Sequence, residues 1–200
     1  MRTIEINGGI LETSALQLCV DTLRESGILC YPTETFYALG IDLWNEEALH
    51  KLYALKMRPP EKQLPLIASD IAMIATVCDT GDSRFAALAR RFWPGPLTIV
   101  LPSIDRSRSF AIRVSSHPVA RQIVEAFGSP LVSTSANLTG EPAVSDPRSL
   151  SGKITAGVSV LVDGGTCEGG SPSTIVSLVE RPGKILREGA IPAAEIVSLL

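Results

Sequence analysis

A hydroxyl-rich turn and a pair of cations farther along the chain are the parts of this sequence best suited to chemistry. Thr33 and Thr35 follow a short apolar run that ends at Pro32, and the cations are Lys56 and Arg58. Because Pro32 lacks an amide hydrogen, strand pairing stops there and the two hydroxyls emerge at a strand end. Ligands bind at strand ends in open α/β sheets. The pattern therefore predicts a site for an anionic substrate.

Two further cations stand near predicted strand ends. Arg113 belongs to the apolar run 110–114, and Arg187 follows the run 184–186. Cations that converge on one cleft bind phosphate or carboxylate. Each of the four cations, taken alone, also fits an exposed charge at the rim of the fold. Their shared placement at the ends of strands and helices favours a common binding site.

A polar stretch over residues 133–142 offers neutral groups to an oxygen-rich ligand. Ser133 and Ser135 contribute hydroxyls and Asn137 contributes an amide, although such clusters also form self-bonded turns. The density of turn-forming residues predicts a loop over the whole stretch.

His117 is the histidine most open to a chemical interpretation, although an N-capping role before the proline that follows it is sufficient. The sequence has no G-x-S-x-G motif and no carboxylate assignable to His117, so a serine hydrolase is not supported. It also has no G-x-x-x-x-G-K-[ST] motif. Any binding of ATP must therefore use an architecture other than a P-loop.

Size and composition indicate a single globular domain over residues 1–200. Of the 200 residues, 45% are hydrophobic and 20% are charged, which allows a substantial core without metals or disulfides. Glu5 falls where a signal peptide needs apolar residues, and no apolar run approaches the roughly 20 residues of a membrane span. We therefore expect a soluble, cytoplasmic protein without membrane partners. Four scattered cysteines suit reduced core thiols.

Apolar periodicity predicts alternating helices and strands. The predicted helices occupy residues 13–27, 45–56, 85–92, 118–127, a short segment from 146, and 193–200. The predicted strands occupy residues 28–31, 64–68, 97–101, 110–114, 131–133, 158–162, 174–178 and 184–186. Helix caps are expected at Thr13 or Ser14 and at Asn45, and helix ends at Gly27 and Gly128. The alternation predicts an α/β fold, and the closely spaced late strands predict a mixed parallel/antiparallel sheet flanked by helices.

Seven separated segments share the order and spacing of one protein family. They are residues 31–40 (Y-P-T-E-T-F-Y-A-L-G), 56–67 (K-M-R-P-P-E-K-Q-L-P-L-I), 94–101, 111–118 (A-I-R-V-S-S-H-P), 130–142, 173–178 and 185–191. Together they resemble the YrdC-type L-threonylcarbamoyladenylate synthases, and they span almost the whole chain. The resemblance implies a twisted, open α/β sheet of the YrdC/RibB-like type with a concave positive cleft.

The resemblance also implies an activity. Members of this family are nucleotidyltransferases that condense L-threonine, bicarbonate or CO2, and ATP into threonylcarbamoyl-AMP and pyrophosphate, for threonylcarbamoyladenosine modification of tRNA beside the anticodon. Mg²⁺ is expected to bridge the ATP phosphates mainly through water and substrate oxygens. The implied partners are a downstream complex that transfers the group to tRNA and, indirectly or weakly, tRNA itself.

Site residues follow from the resemblance by position. Those implied to bind ATP are Lys56, Arg58, Arg113, Ser135, Asn137 and Arg187, with Lys56 and Arg58 also catalytic. Those implied to bind threonine are Thr33, His117, Ser133 and Ser173. No covalent protein nucleophile is required, so we expect catalysis by positioning and electrostatic stabilisation.

The chain departs from the family pattern at a few positions, among them Phe36, Ala38, Pro172 and Glu188. Some departures are similar to a sister group, the YciO-like proteins, whose substrate differs and which generally lack the Lys-x-Arg and Ser-x-Asn pairs. This chain keeps both pairs, which favours the synthase.

Two other classes remain alternatives. A non-catalytic RNA-binding module would use the same cations, but a net charge of −3 and few aromatic residues argue against it. A carbamoyl-transfer domain of hydrogenase maturation proteins is less favoured, because such domains belong to long multidomain chains.

Overall fold

One mixed sheet extends through the computed structural model, which describes residues 1–6 and 9–200. Its strands are β1 (Arg2–Glu5), β2 (Leu29–Tyr31), β3 (Ala38–Asp42), β4 (Leu66–Ala68), β5 (Leu97–Pro102), β6 (Ser109–Val114), β7 (Leu131–Ser135), β8 (Val160–Asp163), β9 (Thr174–Ser177) and β10 (Lys184–Arg187). They are arranged in the order β1-β8-β2-β3-β7-β4-β6-β5-β9-β10. Parallel and antiparallel neighbours both occur, which confirms the predicted mixed α/β sheet.

The helices begin and end largely where the local chemistry predicts. They are α1 (Thr13–Arg24), α2 (Glu46–Lys56), α3 (Ile71–Ile74), α4 (Ser83–Phe92), α5 (Pro118–Phe127), α6 (Gly152–Gly157) and α7 (Ala193–Ile196), with 3-10 turns at Pro147–Ser149 and Val197–Leu199. Asn45 caps α2 by accepting a hydrogen bond from the Ala48 amide. Gly128 ends α5 with a φ of 80°, a left-handed conformation that glycine adopts without strain.

The two faces of the sheet are covered unequally. On one face, α2, α4, α6 and α7 contribute to a large core with residues from most strands, such as Leu52 and Leu88. On the other face, α1 and α5 cover only the part of the sheet from β1 to β4. Val160 and Ile67 belong to this second core.

The remaining half of that second face is open. In β6, Ser109, Ala111 and Arg113 are half-buried, whereas the residues between them are buried. The same alternation of buried and half-buried residues occurs in the last half of β5 and throughout β9. Because successive side chains of a strand point to opposite faces, this alternation marks a helix-free surface over β5, β6 and β9. That surface is the floor of the cleft described below.

Several predicted details are wrong. Glu12 rather than Thr13 or Ser14 occupies the N-cap of α1, and it makes no side-chain capping bond. Gly27 does not end that helix, because Ser26 takes the left-handed conformation after it. Gly27 instead allows close packing, since a Cβ there would lie 2.6 Å from Cγ2 of Thr22.

Some elements escaped prediction. Strand β3 was not predicted, and strand β7 includes the first three residues, Ser133 to Ser135, of the stretch predicted as a loop. Both result from long-range pairing, because β3 lies between β2 and β7 and pairs with Ser133 to Ser135. Strand β1 and helices α3 and α6 were also missed, and the terminal helix is a short α7 followed by a 3-10 turn.

Candidate active site

One cavity on the open face brings together most of the predicted site residues. Its volume is ≈ 450 Å³. Eight of the ten predicted residues line it: Thr33, Arg58, Arg113, Ser133, Ser135, Asn137, Ser173 and Arg187. The other two, Lys56 and His117, are not among its lining residues. The cavity therefore joins residues from β6, β7, β10 and four loops.

Arg113 projects from the open face of β6 into the cavity. Its Nη1 donates to Oε1 of Glu34 at 2.7 Å, and Ser115 donates its hydroxyl to the other carboxylate oxygen of Glu34. Nε and Nη2 of Arg113 donate no hydrogen bond within the described residues. The ion pair therefore orients the guanidinium and leaves two donor nitrogens for a ligand.

Arg187 lies at the end of β10 and holds the segment that carries Ser173. Its Nη2 donates to the Ser173 carbonyl at 2.7 Å, and Nε donates to the same oxygen at 3.2 Å. The Ser173 hydroxyl is 2.9 Å from Oγ1 of Thr98. Gly189 permits this packing, because a Cβ there would lie 2.2 Å from the Pro172 carbonyl oxygen. Burial, and then the charge of Arg113, lower the pKa of Arg187.

Thr33 and Thr35 form a tight turn after β2. The Thr33 hydroxyl donates to the Phe36 carbonyl at 2.7 Å and accepts from the Thr35 amide at 3.2 Å. The two hydroxyl oxygens are 3.0 Å apart. The turn is self-bonded and buried, so it presents a fixed polar wall to the cavity.

Lys56 lies at the last position of α2 and is only 2% exposed. Its Nζ donates to the carbonyl oxygens of Ser135 at 2.5 Å and Asn137 at 2.7 Å, with Oδ1 of Asn137 at 3.4 Å. Burial, and then the charge of Arg58, lower the pKa of Lys56 to about 8. Lys56 thus lies beneath the cavity wall and holds the residues that line it.

Arg58 is placed by the end of α2. Met57 takes a left-handed φ of 49°, which turns the chain out of the helix. Nε and Nη2 of Arg58 then donate to the carbonyl oxygens of Lys62 and Gln63 at 3.0 and 2.7 Å. The guanidinium therefore braces its own loop at the edge of the cavity.

His117 lies just outside the cavity, at the N-cap of α5, where its amide donates to Oγ of Ser115 at 3.1 Å. Its Nδ1 is buried, and within residues 1–6 and 9–200 it has no hydrogen-bond partner. Burial lowers the pKa of His117, against a smaller opposing effect of Glu34 and Glu168. A neutral imidazole next to the Glu34 network is the expected state near pH 7.

Three polar residues of the site were missed from the sequence. Glu34 pairs with Arg113, Thr98 contacts Ser173, and Tyr31 donates its hydroxyl to Oγ of Ser133 at 2.9 Å. Burial raises the pKa of Tyr31 to about 12, so it remains a neutral donor. Glu34 was the only one with a sequence signal, as an acid inside the hydroxyl-rich turn.

The arrangement suits recognition of oxyanions by fixed donors. Three guanidinium groups, several hydroxyl and amide groups and the Glu141 carboxylate line one open cavity. Glu34, outside the lining, is tied to Arg113. Such donors stabilise charge on phosphate or carboxylate without moving during a reaction.

No helix of the described residues is long and apolar enough to cross a membrane.

A family model described as Telomere recombination (Sua5/YciO/YrdC) matches residues 21–189 of this chain. The chain is 38% identical over 186 residues to the threonylcarbamoyl-AMP synthase of Vibrio cholerae serotype O1, covering 87% of this chain and 97% of that protein. It is 28% identical over 198 residues to the threonylcarbamoyl-AMP synthase of Pyrococcus abyssi, covering 95% of this chain. It spans 58% of the length of the Pyrococcus protein.

Solved structures show the same fold. The P. abyssi Sua5 structure complexed with L-threonine superposes with a TM-score of 0.90 at 26% identity, over 100% of this chain and 60% of that one. The E. coli YciO structure superposes with a TM-score of 0.88 at 24% identity, over 98% of both chains.

Proposed function

The chain belongs to the Sua5/YciO/YrdC family, and we propose that it is a threonylcarbamoyl-AMP synthase. In this reaction L-threonine, bicarbonate or CO2, and ATP yield threonylcarbamoyl-AMP and pyrophosphate. The observation that carries the proposal is the cavity in which Arg58, Arg113 and Arg187 face hydroxyl and amide donors, in a chain related to proteins of that name.

ATP is the ligand that the three arginines suit best. Its phosphates lie against Arg58, Arg113 and Arg187, while Ser135 and Asn137 supply neutral hydrogen bonds. The reaction requires a carbamate oxygen to approach the α-phosphorus, so two anions must be brought together. Fixed guanidinium groups reduce that repulsion and stabilise the charge that develops on the departing pyrophosphate.

In this mechanism Lys56 is not a direct phosphate ligand but holds the residues that line the cavity. All three of its contacts are oxygens of Ser135 and Asn137. Its charge still reaches the cavity through space, and its hydrogen bonds orient the Ser135 hydroxyl and the Asn137 amide. Lys56 and Arg58 therefore both act from the C-terminal end of α2, where Lys56 holds the lining residues and Arg58 faces the phosphates.

Threonine is assigned to the side of the cavity formed by Thr33, Ser133 and Ser173, with His117 adjacent to it. The polar wall of Thr33 and the Tyr31–Ser133 hydrogen bond offer partners for the amino acid hydroxyl and carboxylate. A neutral His117 can accept a proton as the threonine amine becomes a carbamate.

Mg²⁺ enters this scheme with ATP. Among the residues that the structure describes, no three His, Cys, Asp or Glu side chains converge to hold a metal ion. Glu34, next to the cavity, is already bound by Arg113 and Ser115. Among the described lining residues, Glu141 is the one that carries a carboxylate. In this scheme phosphate oxygens and water would supply the ligands of Mg²⁺.

The product is a reactive mixed anhydride, which suggests transfer to a second enzyme complex that modifies tRNA in the cytoplasm. Direct contact with tRNA is not needed for the chemistry of this cavity. The YciO-like alternative is less supported, because Lys56 physically joins the Ser135–Asn137 pair here.

Mass-spectrometric detection of threonylcarbamoyl-AMP tests the proposal. Purified protein is incubated with ATP, Mg²⁺, bicarbonate and threonine, with serine in place of threonine and without bicarbonate as controls. The expected product requires both threonine and bicarbonate. Arg113→Lys keeps the charge beside Glu34 but loses the guanidinium fork, so it should lower product formation. Arg121→Lys, on the exposed side of α5, is the matched control. Absence of product with ATP binding intact would redirect the assignment to a different acyl acceptor.

A further inference from the structure

A second cavity lies at the far end of the same strands, outside the site described above. Its volume is ≈ 830 Å³, and it is lined by the end of β5, the start of β6 and the loops around residues 79–84 and 178–181. Its charged residues are Arg84, Arg106, Arg108, Arg181, Asp79 and Asp82. Four cations against two carboxylates leave an excess of positive charge.

Two of these arginines are occupied by carboxylates. Arg84 binds Asp82 through Nη2 at 2.7 Å and Nε at 3.1 Å, and it also donates to backbone carbonyls. Arg106 binds Asp79 at 2.7 Å. These pairs are internal to the cavity wall and contribute little net charge.

Arg108 and Arg181 carry the excess charge. Arg181 lies 3.6 Å from Asp82, too far for a good hydrogen bond, and its side chain is 77% exposed. The Arg108 side chain donates no hydrogen bond to any described residue. Its guanidinium lies over the ring of Phe110, 4.7 Å from the centroid, and 5.8 Å from that of Trp44. Aromatic stacking therefore orients Arg108 while leaving its donors free.

The hairpin that carries Arg108 is rigid. Asp105 accepts hydrogen bonds from the Ser103 hydroxyl at 2.5 Å and from the Ser107 hydroxyl and amide at 2.8 and 3.1 Å. Arg106 takes a left-handed φ of 56° at the tip. These hydrogen bonds hold the backbone from which the Arg108 side chain extends.

The second cavity is continuous with the first. Gln63 lines both cavities. On the open face of β6, Ser109 lines the second cavity and Arg113 lines the first, with Ala111 between them. Four residues of a strand span roughly 13 Å, so one strip of the open face runs from Ser109 in the second cavity to Arg113 in the first.

We propose that this second cavity, around Arg108 and Arg181, binds the phosphate groups of a ligand other than the ATP of the first cavity. Arginine forks match phosphate oxygens, and Trp44, which is 56% exposed beside Arg108, offers a flat surface for a base. The phosphates come either from an RNA strand that follows the strip or from a free nucleotide or pyrophosphate.

Two binding assays distinguish the two sources. Calorimetry measures binding of inorganic pyrophosphate and AMP, and fluorescence anisotropy measures binding of a labelled single-stranded oligoribonucleotide across a salt series. Each is run on wild type, Arg108→Gln, Arg181→Gln, the first-cavity variant Arg187→Gln, and the control Arg121→Gln. Circular dichroism confirms that each variant is folded.

Arg108→Gln and Arg181→Gln should each weaken binding about ten- to a hundredfold, while Arg121→Gln leaves it unchanged. If the variants lose affinity only for the oligoribonucleotide, and the slope of log binding constant against log salt concentration falls in magnitude by about 1, the ligand is an RNA strand. Loss confined to pyrophosphate or AMP identifies a small phosphate ligand. Binding that responds to Arg187→Gln but to neither second-cavity variant would overturn the proposal, as would no measurable binding. Synthase activity is measured in a separate assay, so a failure of the proposed function can be told apart from a failure of the second-cavity proposal.

Discussion

Glu34 and Arg113 form an ion pair of 2.7 Å beneath the candidate active site, where their side chains are only 11% and 12% exposed. The carboxylate orients a guanidinium that comes from a distant strand, and it also accepts the hydroxyl of Ser115. Of the three arginines that line the cavity, Arg113 is the one that forms an ion pair within the described residues.

Breaking this pair should be costly, because the remaining charge stays largely buried. Glu34→Ala or Arg113→Ala should each lower the free energy of unfolding by about 3 kcal/mol, and the double variant should lose less than the sum. Urea denaturation measures all three. Arg148→Ala, which breaks an ion pair whose arginine is 83% exposed, should cost less than about 1 kcal/mol. Additive losses would show that the two residues are not coupled.

Lys56→Met should abolish most product formation and destabilise the fold, because the carbonyl oxygens of Ser135 and Asn137 lose the buried ammonium that joins them. We expect a loss of about 3 kcal/mol in the free energy of unfolding. Lys51→Met, five residues earlier on α2, is the control. Lys51 is half-exposed, pairs with Glu47 and donates one long hydrogen bond of 3.3 Å to the Ser26 carbonyl, so its loss should cost under about 1 kcal/mol. A Lys56→Met variant with full turnover would contradict a role for this residue in catalysis.

His117 should titrate below the ordinary histidine pKa of 6.5, because burial disfavours its charged form. As the pH falls through 6.5, the unfolded chain therefore binds a proton before the folded chain does, and this histidine's contribution to stability is lost. NMR titration of the imidazole protons checks the direction, with a His50→Asn variant to assign the two signals. The stability advantage of wild type over His117→Gln should shrink on acidification. A pKa above 6.5 would be the opposite result.

Gly40→Ala should disturb the Tyr31–Ser133 hydroxyl pair at the edge of the cavity. A Cβ at this position would lie 2.5 Å from Cε1 of Tyr31, whose ring is fully buried and whose hydroxyl donates to Ser133. Overpacking of this kind costs about 1 to 3 kcal/mol in the free energy of unfolding. Gly152→Ala is the control, because a Cβ there meets nothing within 4 Å. Equal thermal stability of the two variants would argue against the clash.

Local chemistry was readable from the sequence. The cap of α2 at Asn45, the start of α5 after His117 and its end at Gly128 follow from side-chain and backbone preferences that act within one turn. The polar segments that form the site were also recognisable by their residue types. The family was identifiable because its motifs lie in order along the chain.

Only the tertiary structure decided which of those residues meet. Arg113 reaches Glu34, and Lys56 reaches Asn137, through strand pairings between segments far apart in the sequence. Pairing register depends on the competition among all strands, which no local pattern encodes. The same pairings made β3 a central strand, placed Lys56 beneath the cavity, and left the outer half of one sheet face open for ligands.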